Sequence, residues 1–274
     1  MKVVEAGGMR MPAIGLGTWQ LSGADCVRLV QDAVKIGYRH FDTAQSYQNE
    51  AEVAEGLRAS GLQRNETFIT TKIWPVNHAP ADFARAFEES LAKLQLDYVD
   101  LLLLHFASKE VPLADTIGAL CKIAKEGGAR HIGVSNFTVA LLDEAVKLSS
   151  VPIACNQIEA HPYLDQSKVI TACRRHDVAI VAHTPIARGQ LADDSVLASI
   201  GRSHNKTAAQ VSLRFLVQSG LACVPRSSRT ERLKENYAIF DFELSGAELK
   251  EIAALSSKAR RVGNNSVALA PVWD

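Results

Sequence analysis

Four residue types that handle protons recur in the first 105 positions, each at or just past the end of a strand-like apolar run. Asp42 follows Tyr38-Arg39-His40-Phe41, and Tyr47 lies five residues on. Lys72 closes Phe68-Ile69-Thr70-Thr71, and His105 closes four consecutive leucines, 101–104. A carboxylate, a phenol, an amine and an imidazole make a proton-transfer set if they meet. They meet only if their strands are neighbours running the same way.

Taken singly, each residue has a plainer reading. Asp42 suits a turn, Lys72 a surface lysine that snorkels, Tyr47 the cap of the next helix, and His105 a satisfied core histidine. Together, at matched positions on consecutive strands, they read as one site. An ammonium beside a phenol favours the phenolate and lowers its pKa, so Tyr47 is expected to give and take a proton nearer neutral pH. Lys72 facing a packed interior needs a partner, and Asp42 is the natural one. A neutral His105 could then orient a carbonyl oxygen. No Ser or Cys sits in an elbow-type motif, so the attacking group is expected to be a hydride from a bound cofactor.

The elements that must hold these groups alternate along the chain. Strands are expected at 13–16, 40–42, 68–72, 99–105, 131–134, 153–157, 178–183 and 222–225. Between them, apolar residues recur at helical spacing, as in Val27, Val30, Val34 and in Phe83, Phe87, Leu91, Leu94. Asp25, Pro80 and Thr207 read as helix starts, and Gly37, Gly61, Gly127 and Gly220 as residues that follow helix ends. Eight strands with about eight helices and no linker predict an α/β chain of one domain over residues 1–274. The expected architecture is a (β/α)8 TIM barrel, in which strand C-termini share one mouth. Residues 1–11, with Gly7-Gly8 in the middle, read as a small hairpin below the barrel, and 256–274 as a C-terminal loop over the active site.

With 274 residues, 47% of them hydrophobic, the chain can bury a large core, and thirty basic residues cancel thirty acidic ones. The charge balance argues against nucleic acid or an anionic membrane surface as a partner. The first residues form no apolar leader, and no run is long enough to span a bilayer, which predicts a cytoplasmic protein. Five scattered cysteines without a C-x-x-C pair are expected to be reduced and buried. No metal site is expected: there is no zinc spacing and no His-x-His pair among the eight histidines. Gly15-Leu16-Gly17-Thr18-Trp19-Gln20 lacks the third glycine of a dinucleotide fingerprint. A better anion site is Val224-Pro225-Arg226-Ser227-Ser228-Arg229-Thr230-Glu231-Arg232, with three guanidinium groups and hydroxyls at a strand end and helix start.

These stretches resemble the aldo-keto reductase superfamily over essentially the whole chain. The matching motifs are Gly15-Leu16-Gly17-Thr18-Trp19, residues 37–44, Tyr47-Gln48-Asn49-Glu50, Ile69 through Trp74, Asp97 through His105, residues 132–137, and Asn156-Gln157-Ile158-Glu159. The ending Leu269-Ala270-Pro271-Val272-Trp273-Asp274 is similar to that of bacterial 2,5-diketo-D-gluconate reductases of the B type, relatives that also reduce methylglyoxal. The resemblance implies a monomer that reduces small carbonyl compounds with NADPH. Tyr47 would be the general acid, tuned by Lys72 and Asp42, with His105 guiding the carbonyl. The cofactor would be held by Gly17, Thr18, Trp19 and Asp42, with Ser135, Asn136 and Gln157 on its carboxamide. His183, Thr184, Pro185 and Ile186 would lie under the nicotinamide. Arg226, Ser227, Ser228 and Arg232 would take the 2′-phosphate, and Glu235 and Asn236 the adenine. Trp19, Tyr47, Trp74, His105 and Phe106 would line the substrate pocket.

Three departures from the family pattern stand out. His183-Thr184-Pro185-Ile186 replaces an aromatic Tyr-Ser-Pro-Leu, leaving a smaller ring to stack. Pro225-Arg226-Ser227 replaces Pro-Lys-Ser, which keeps the charge and adds a bidentate fork. Phe106-Ala107 replaces Trp-Pro and opens the pocket. The alternative on the same fold is an NADPH-sensing binding protein with little turnover.

Overall fold

The short apolar runs become strands because β-branched and leucine-rich stretches between glycine-marked turns pack on both faces of a parallel sheet. The computed structural model describes residues 2–263 and 269–274. A hairpin comes first: β1 (Val3–Ala6) pairs antiparallel with β2 (Met9–Pro12), and Gly7 and Gly8 turn it with φ of 55° and 77°. Then follow β3 (Leu16–Gly17), β4 (His40–Asp42), β5 (Phe68–Ile73), β6 (Val99–Leu104), β7 (Ala129–Ser135), β8 (Ile153–Glu159), β9 (Ala179–His183) and β10 (Ala222–Cys223). These eight pair in sequence order, all parallel.

Bridges Ile14–Cys223 and Gly17–Arg226 bring the last strand beside the first and close the barrel. The seam is tight. A side chain at Gly17 would put its Cβ 2.6 Å from the Val224 carbonyl oxygen, so this glycine permits the approach of two backbones.

Around the barrel lie α1 (Gly23–Ile36), α2 (Glu50–Ala59), α3 (Pro80–Leu94), α4 (Leu113–Lys125), α5 (Val139–Leu148), α6 (Ser167–Arg175), α7 (Ser195–His204), α8 (Ala208–Gln218), α9 (Thr230–Tyr237) and α10 (Gly246–Ala254). Pro80 opens α3, and Thr207 caps α8 in a reciprocal box with Gln210. Asp25 is not a cap: α1 starts at Gly23 after Ser22, which leaves Asp25 in the first turn, where its charge suits the helix dipole. Gly37, Gly61, Gly127 and Gly220 all have positive φ. The expectation of about eight helices falls short among the described residues. The additional pair, α7 and α10, packs with α8 on a separate apolar cluster that includes Leu197, Ile200, Val211, Leu244 and Ile252.

Strand alternation sends Leu102 and Leu104 out to the helices and Leu101 and Leu103 into the barrel. There they meet Phe68, Cys155, Val181 and Val224, with fully buried Met9 and Met11 entering from the hairpin. Each such burial stabilises by about 1.5–3 kcal/mol. The Gly7 amide also donates to Asp177, just ahead of β9, at 2.9 Å. The hairpin therefore plugs the strand N-termini and leaves their C-terminal ends as the mouth. All five cysteines are buried and free, and no helix among the described residues is long and apolar enough to cross a membrane.

Candidate active site

At the mouth, β4 presents Asp42 and β5 presents Lys72, both inward. Lys72 is fully buried and donates from Nζ to Asp42 Oδ1 at 2.5 Å and to the Thr43 carbonyl at 2.9 Å. The other oxygen, Asp42 Oδ2, accepts from Gln157 Nε2 at 2.6 Å. A buried ammonium would be costly unless paired in this way.

After β4 the chain makes a short 3-10 turn, Gln45–Tyr47, that folds Tyr47 back over the pair. Asn49 locks this turn, donating to the carbonyls of Thr18 and Leu21 at 2.8 Å each and accepting from the Thr43 hydroxyl at 2.7 Å. Lys72 Nζ lies 5.0 Å from the centroid of the Tyr47 ring. His105 continues the β6 ladder, its amide donating to the Ile73 carbonyl at 3.0 Å. Its ring stands edge-on to Tyr47 at 5.6 Å and to Trp74 at 5.0 Å, and stacks on Phe106 at 5.4 Å. The structure thus brings Asp42, Tyr47, Lys72, His105, Trp74 and Phe106 to one place.

The charges have definite directions. Burial alone would pull the Lys72 ammonium down, but Asp42 and Tyr47 together hold it above its ordinary value. Burial pushes the Tyr47 phenol up; Lys72 pulls it back only in part. This corrects the expectation of a lowered tyrosine pKa, because desolvation outweighs one nearby ammonium. The consequence is a phenol that stays protonated at neutral pH and is suited to donate. Burial first, and then Lys72, keep His105 well below 6.5 and hence neutral.

Beyond this cluster, β7 and β8 end in Ser135, Asn136 and Gln157. Ser135 Oγ donates to the Gln157 carbonyl at 2.9 Å, and Asn136 Nδ2 to the His105 carbonyl at 3.0 Å. Asn136 has a left-handed backbone, φ 62°, which asparagine tolerates better than most residues. His183 at the end of β9 faces them, its Nε2 3.1 Å from Asn136 Oδ1 and its Nδ1 3.0 Å from the Thr184 hydroxyl. Since Asn136 Oδ1 can only accept, His183 carries its proton on Nε2. Burial holds its pKa at about 4, so the ring is neutral. Pro185 is buried, its carbonyl accepting from Ser212, and Ile186 is half-buried.

Gly17 and Thr18 serve the barrel itself. Gly17 lies in the seam, and Thr18 is fully buried with its hydroxyl donating to the Asp42 carbonyl at 3.1 Å. Trp19 is 40% exposed at the rim, with the Arg188 guanidinium 5.0 Å from its ring. Arg226 reaches across to the same loop, donating to the carbonyls of Trp19 and Gln20 at 3.3 Å each. Ser227 is tied to the Arg229 backbone. Ser228, Arg232 and Glu235 are exposed and Asn236 is buried.

Sequence reasoning passed over Ser46, whose hydroxyl is 3.3 Å from His105 Nδ1. It also gave no role of their own to Glu159 and Arg188, whose contacts with residues 262 and 263 are distant in sequence. The local sequence does not encode a contact made more than 50 positions away.

A model of the aldo/keto reductase family matches residues 13–257. The chain is 42% identical to the glyoxal reductase of Bacillus subtilis (strain 168) over 94% of its length and 93% of the relative's. It is 40% identical to methylglyoxal reductase DkgB of Escherichia coli O157:H7 over 97% of its length and 100% of the relative's. Among solved structures, the aldose reductase of Schistosoma japonicum superposes with a TM-score of 0.92 at 32% identity, covering 99% of each chain. A structure assigned as a 2,5-diketo-D-gluconic acid reductase B superposes with a TM-score of 0.96 at 45% identity, covering 100% of this chain and 98% of that one. With a barrel mouth that joins a buried Asp42–Lys72 pair to Tyr47 and a neutral His105, this chain belongs to the aldo/keto reductase family of oxidoreductases.

Proposed function

We propose that the protein reduces small aldehydes and ketones to alcohols with NADPH, with Tyr47 as the general acid. The observation that carries this is the phenol of Tyr47 kept protonated above the buried Asp42–Lys72 pair and beside a neutral imidazole. A bound nicotinamide, held by the residues named below, would supply the hydride for the carbonyl carbon. As that bond forms, the C=O π pair moves onto oxygen, which takes the Tyr47 proton. Lys72 stabilises the resulting phenolate, and Asp42 keeps Lys72 charged. His105, with a proton on one ring nitrogen, donates to the same oxygen and orients it. The Ser46 hydroxyl, 3.3 Å from Nδ1, can donate to that nitrogen and so leave this proton on Nε2.

The residues present suit the cofactor. A carboxamide needs both donors and acceptors, and Ser135, Asn136 and Gln157 offer a hydroxyl and two amides at adjoining strand ends. Three arginines about a strand end and the start of α9 suit a phosphate. In this reading Arg226, Ser227, Ser228 and Arg232 meet the 2′-phosphate, Glu235 and Asn236 the adenine, and His183 to Ile186 the nicotinamide ring. Trp19, Trp74 and Phe106 line the carbonyl pocket.

Small α-dicarbonyls are the favoured substrates, since relatives at 40–42% identity are named for glyoxal and methylglyoxal. Keto-sugar acids such as 2,5-diketo-D-gluconate come next. The same reading has residues 1–274 acting as one domain, as a monomer, in the cytoplasm. The test is NADPH consumption with methylglyoxal in wild type and Tyr47→Phe. Turnover lost by about 10²–10⁴-fold in the variant supports the reading. Tight NADPH binding with near-zero rates across a broad carbonyl panel would instead favour a nucleotide-sensing protein.

A further inference from the structure

Glu159 ends β8 two residues past Gln157 and is fully buried, yet the chemistry above does not use it. Its ladder partner is His183 on β9. Its carboxylate is taken up largely by chain from beyond α10. Oε1 accepts the Val262 amide at 2.6 Å and lies 2.9 Å from His161 Nε2, while Arg261 Nη1 approaches Oε2 to 3.6 Å. His161, the Val262 amide, His183 and the Gly263 amide together outweigh burial and hold the acid at about 2, so it stays charged.

Gly263 adjoins both groups. A Cβ there would lie 2.8 Å from Glu159 Oε2 and 3.3 Å from His183 Cε1, so this residue rests against the His183 ring. The Gly263 carbonyl also accepts from Arg188, whose guanidinium lies over Trp19 at the rim. A separate attachment, Lys258 to Asp194 at 2.6 Å and the Arg260 amide to the Tyr163 carbonyl at 2.8 Å, holds the preceding turn. Losing Glu159 is therefore expected to loosen residues 261–263 and to leave the preceding turn in place.

We infer that Glu159 is a positioning residue that clasps residues 261–263 onto His183 and thereby sets how tightly the site holds its cofactor. The clasp acts through His183, which is fixed in turn to Asn136. The cofactor part of this inference rests on the NADPH reading above. The clasp is expected to change cofactor affinity and to leave the proton-transfer groups alone, because none of its contacts reaches Asp42, Tyr47 or Lys72.

The test uses the full-length protein as wild type, Glu159→Ala, Glu159→Gln and Gly263→Ala. Gly263→Ala crowds the clasp without removing a buried charge, so it serves if Glu159→Ala fails to fold. In Glu159→Ala and Gly263→Ala, the NADPH dissociation constant, read by quenching of tryptophan fluorescence, should rise about 10-fold, as expected for loss of hydrogen bonds to a charged group. At saturating NADPH and methylglyoxal, kcat should stay within about 3-fold of wild type. Glu159→Gln keeps an acceptor for the Val262 amide and should recover most of the affinity. In cofactor-free Glu159→Ala, trypsin should cut after Arg260 or Arg261 about 10-fold faster, with cleavage elsewhere unchanged.

An unchanged dissociation constant in both Glu159→Ala and Gly263→Ala would overturn the inference, as would a collapse of kcat at unchanged affinity or a wild type that binds no NADPH. A wild type that binds NADPH but reduces no carbonyl would refute the proposed reaction. The binding and proteolysis measurements would still decide the clasp.

Discussion

Asp42 and Gln157 meet across the full width of the barrel: the Gln157 amide on β8 donates at 2.6 Å to the carboxylate of Asp42 on β4, four strands away. The carboxylate that partners Lys72 is therefore gripped from the side expected to hold the carboxamide of the cofactor. This one contact links the two halves of the site.

Asp42→Asn should expose the cost of that arrangement. Removing one member of a buried ion pair leaves Lys72 uncompensated and should destabilise the protein by about 3–5 kcal/mol. The Lys72 ammonium, held up by Asp42, should titrate lower, and kcat should fall with it. Urea unfolding and steady-state rates check both. Unchanged stability would mean that the pair is not buried as described.

The seam predicts a purely structural effect. Gly17→Ala brings a Cβ to 2.6 Å from the Val224 carbonyl and must push β3 from β10, costing about 1–3 kcal/mol or more. Thermal melts measure the cost, and a melting temperature equal to wild type would contradict the tight closure.

Acid should destabilise the fold through its histidines. His40, His78 and His183 are held at about 4, and His105 is held well below 6.5, all by burial first. A lowered folded pKa gives stability that is complete above 6.5 and is lost as pH falls toward the folded value. The unfolded chain takes up protons that the native state refuses. Each such group contributes a slope of up to about 1.4 kcal/mol per pH unit between those limits. Chemical denaturation from pH 7 to pH 4 reads the slope, and stability flat over this window would exclude the neutral, buried state of these rings.

The same neutrality bears on the rate. Reduction should show no inflection near pH 6.5, since His105 is already deprotonated there, and no loss until alkaline pH ionises the raised phenol of Tyr47. A kcat/KM profile from pH 5.5 to 10 checks this, using the ordinary values of about 6.5 and 10 as reference points. An inflection near 6.5 that disappears in His105→Asn would show that the histidine titrates.

Arg226→Ala should weaken NADPH by about 10-fold or more while changing NADH little, because only NADPH carries the extra phosphate. The side chain also donates to the Trp19 and Gln20 carbonyls, so a small loss common to both cofactors is expected from that loop. Equal large losses would remove the arginine from the phosphate.

What the sequence by itself determined is local in origin. Alternation between short apolar runs and helical periodicity specified the eight strands, and strand ends specified where Asp42, Lys72 and His105 would point. Pro80, Thr207 and the glycines after the helices carried their signals within a turn of their positions. Only the tertiary structure decided what depends on closure. It made Gly17 and Thr18 parts of the barrel frame, joined Asp42 to Gln157 over 115 positions, and put Glu159 under residues 261–263. It also reversed the expected shift of the Tyr47 phenol. Proximity to Lys72 could be read from spacing, but desolvation depends on everything that packs around the ring, and no local pattern encodes that.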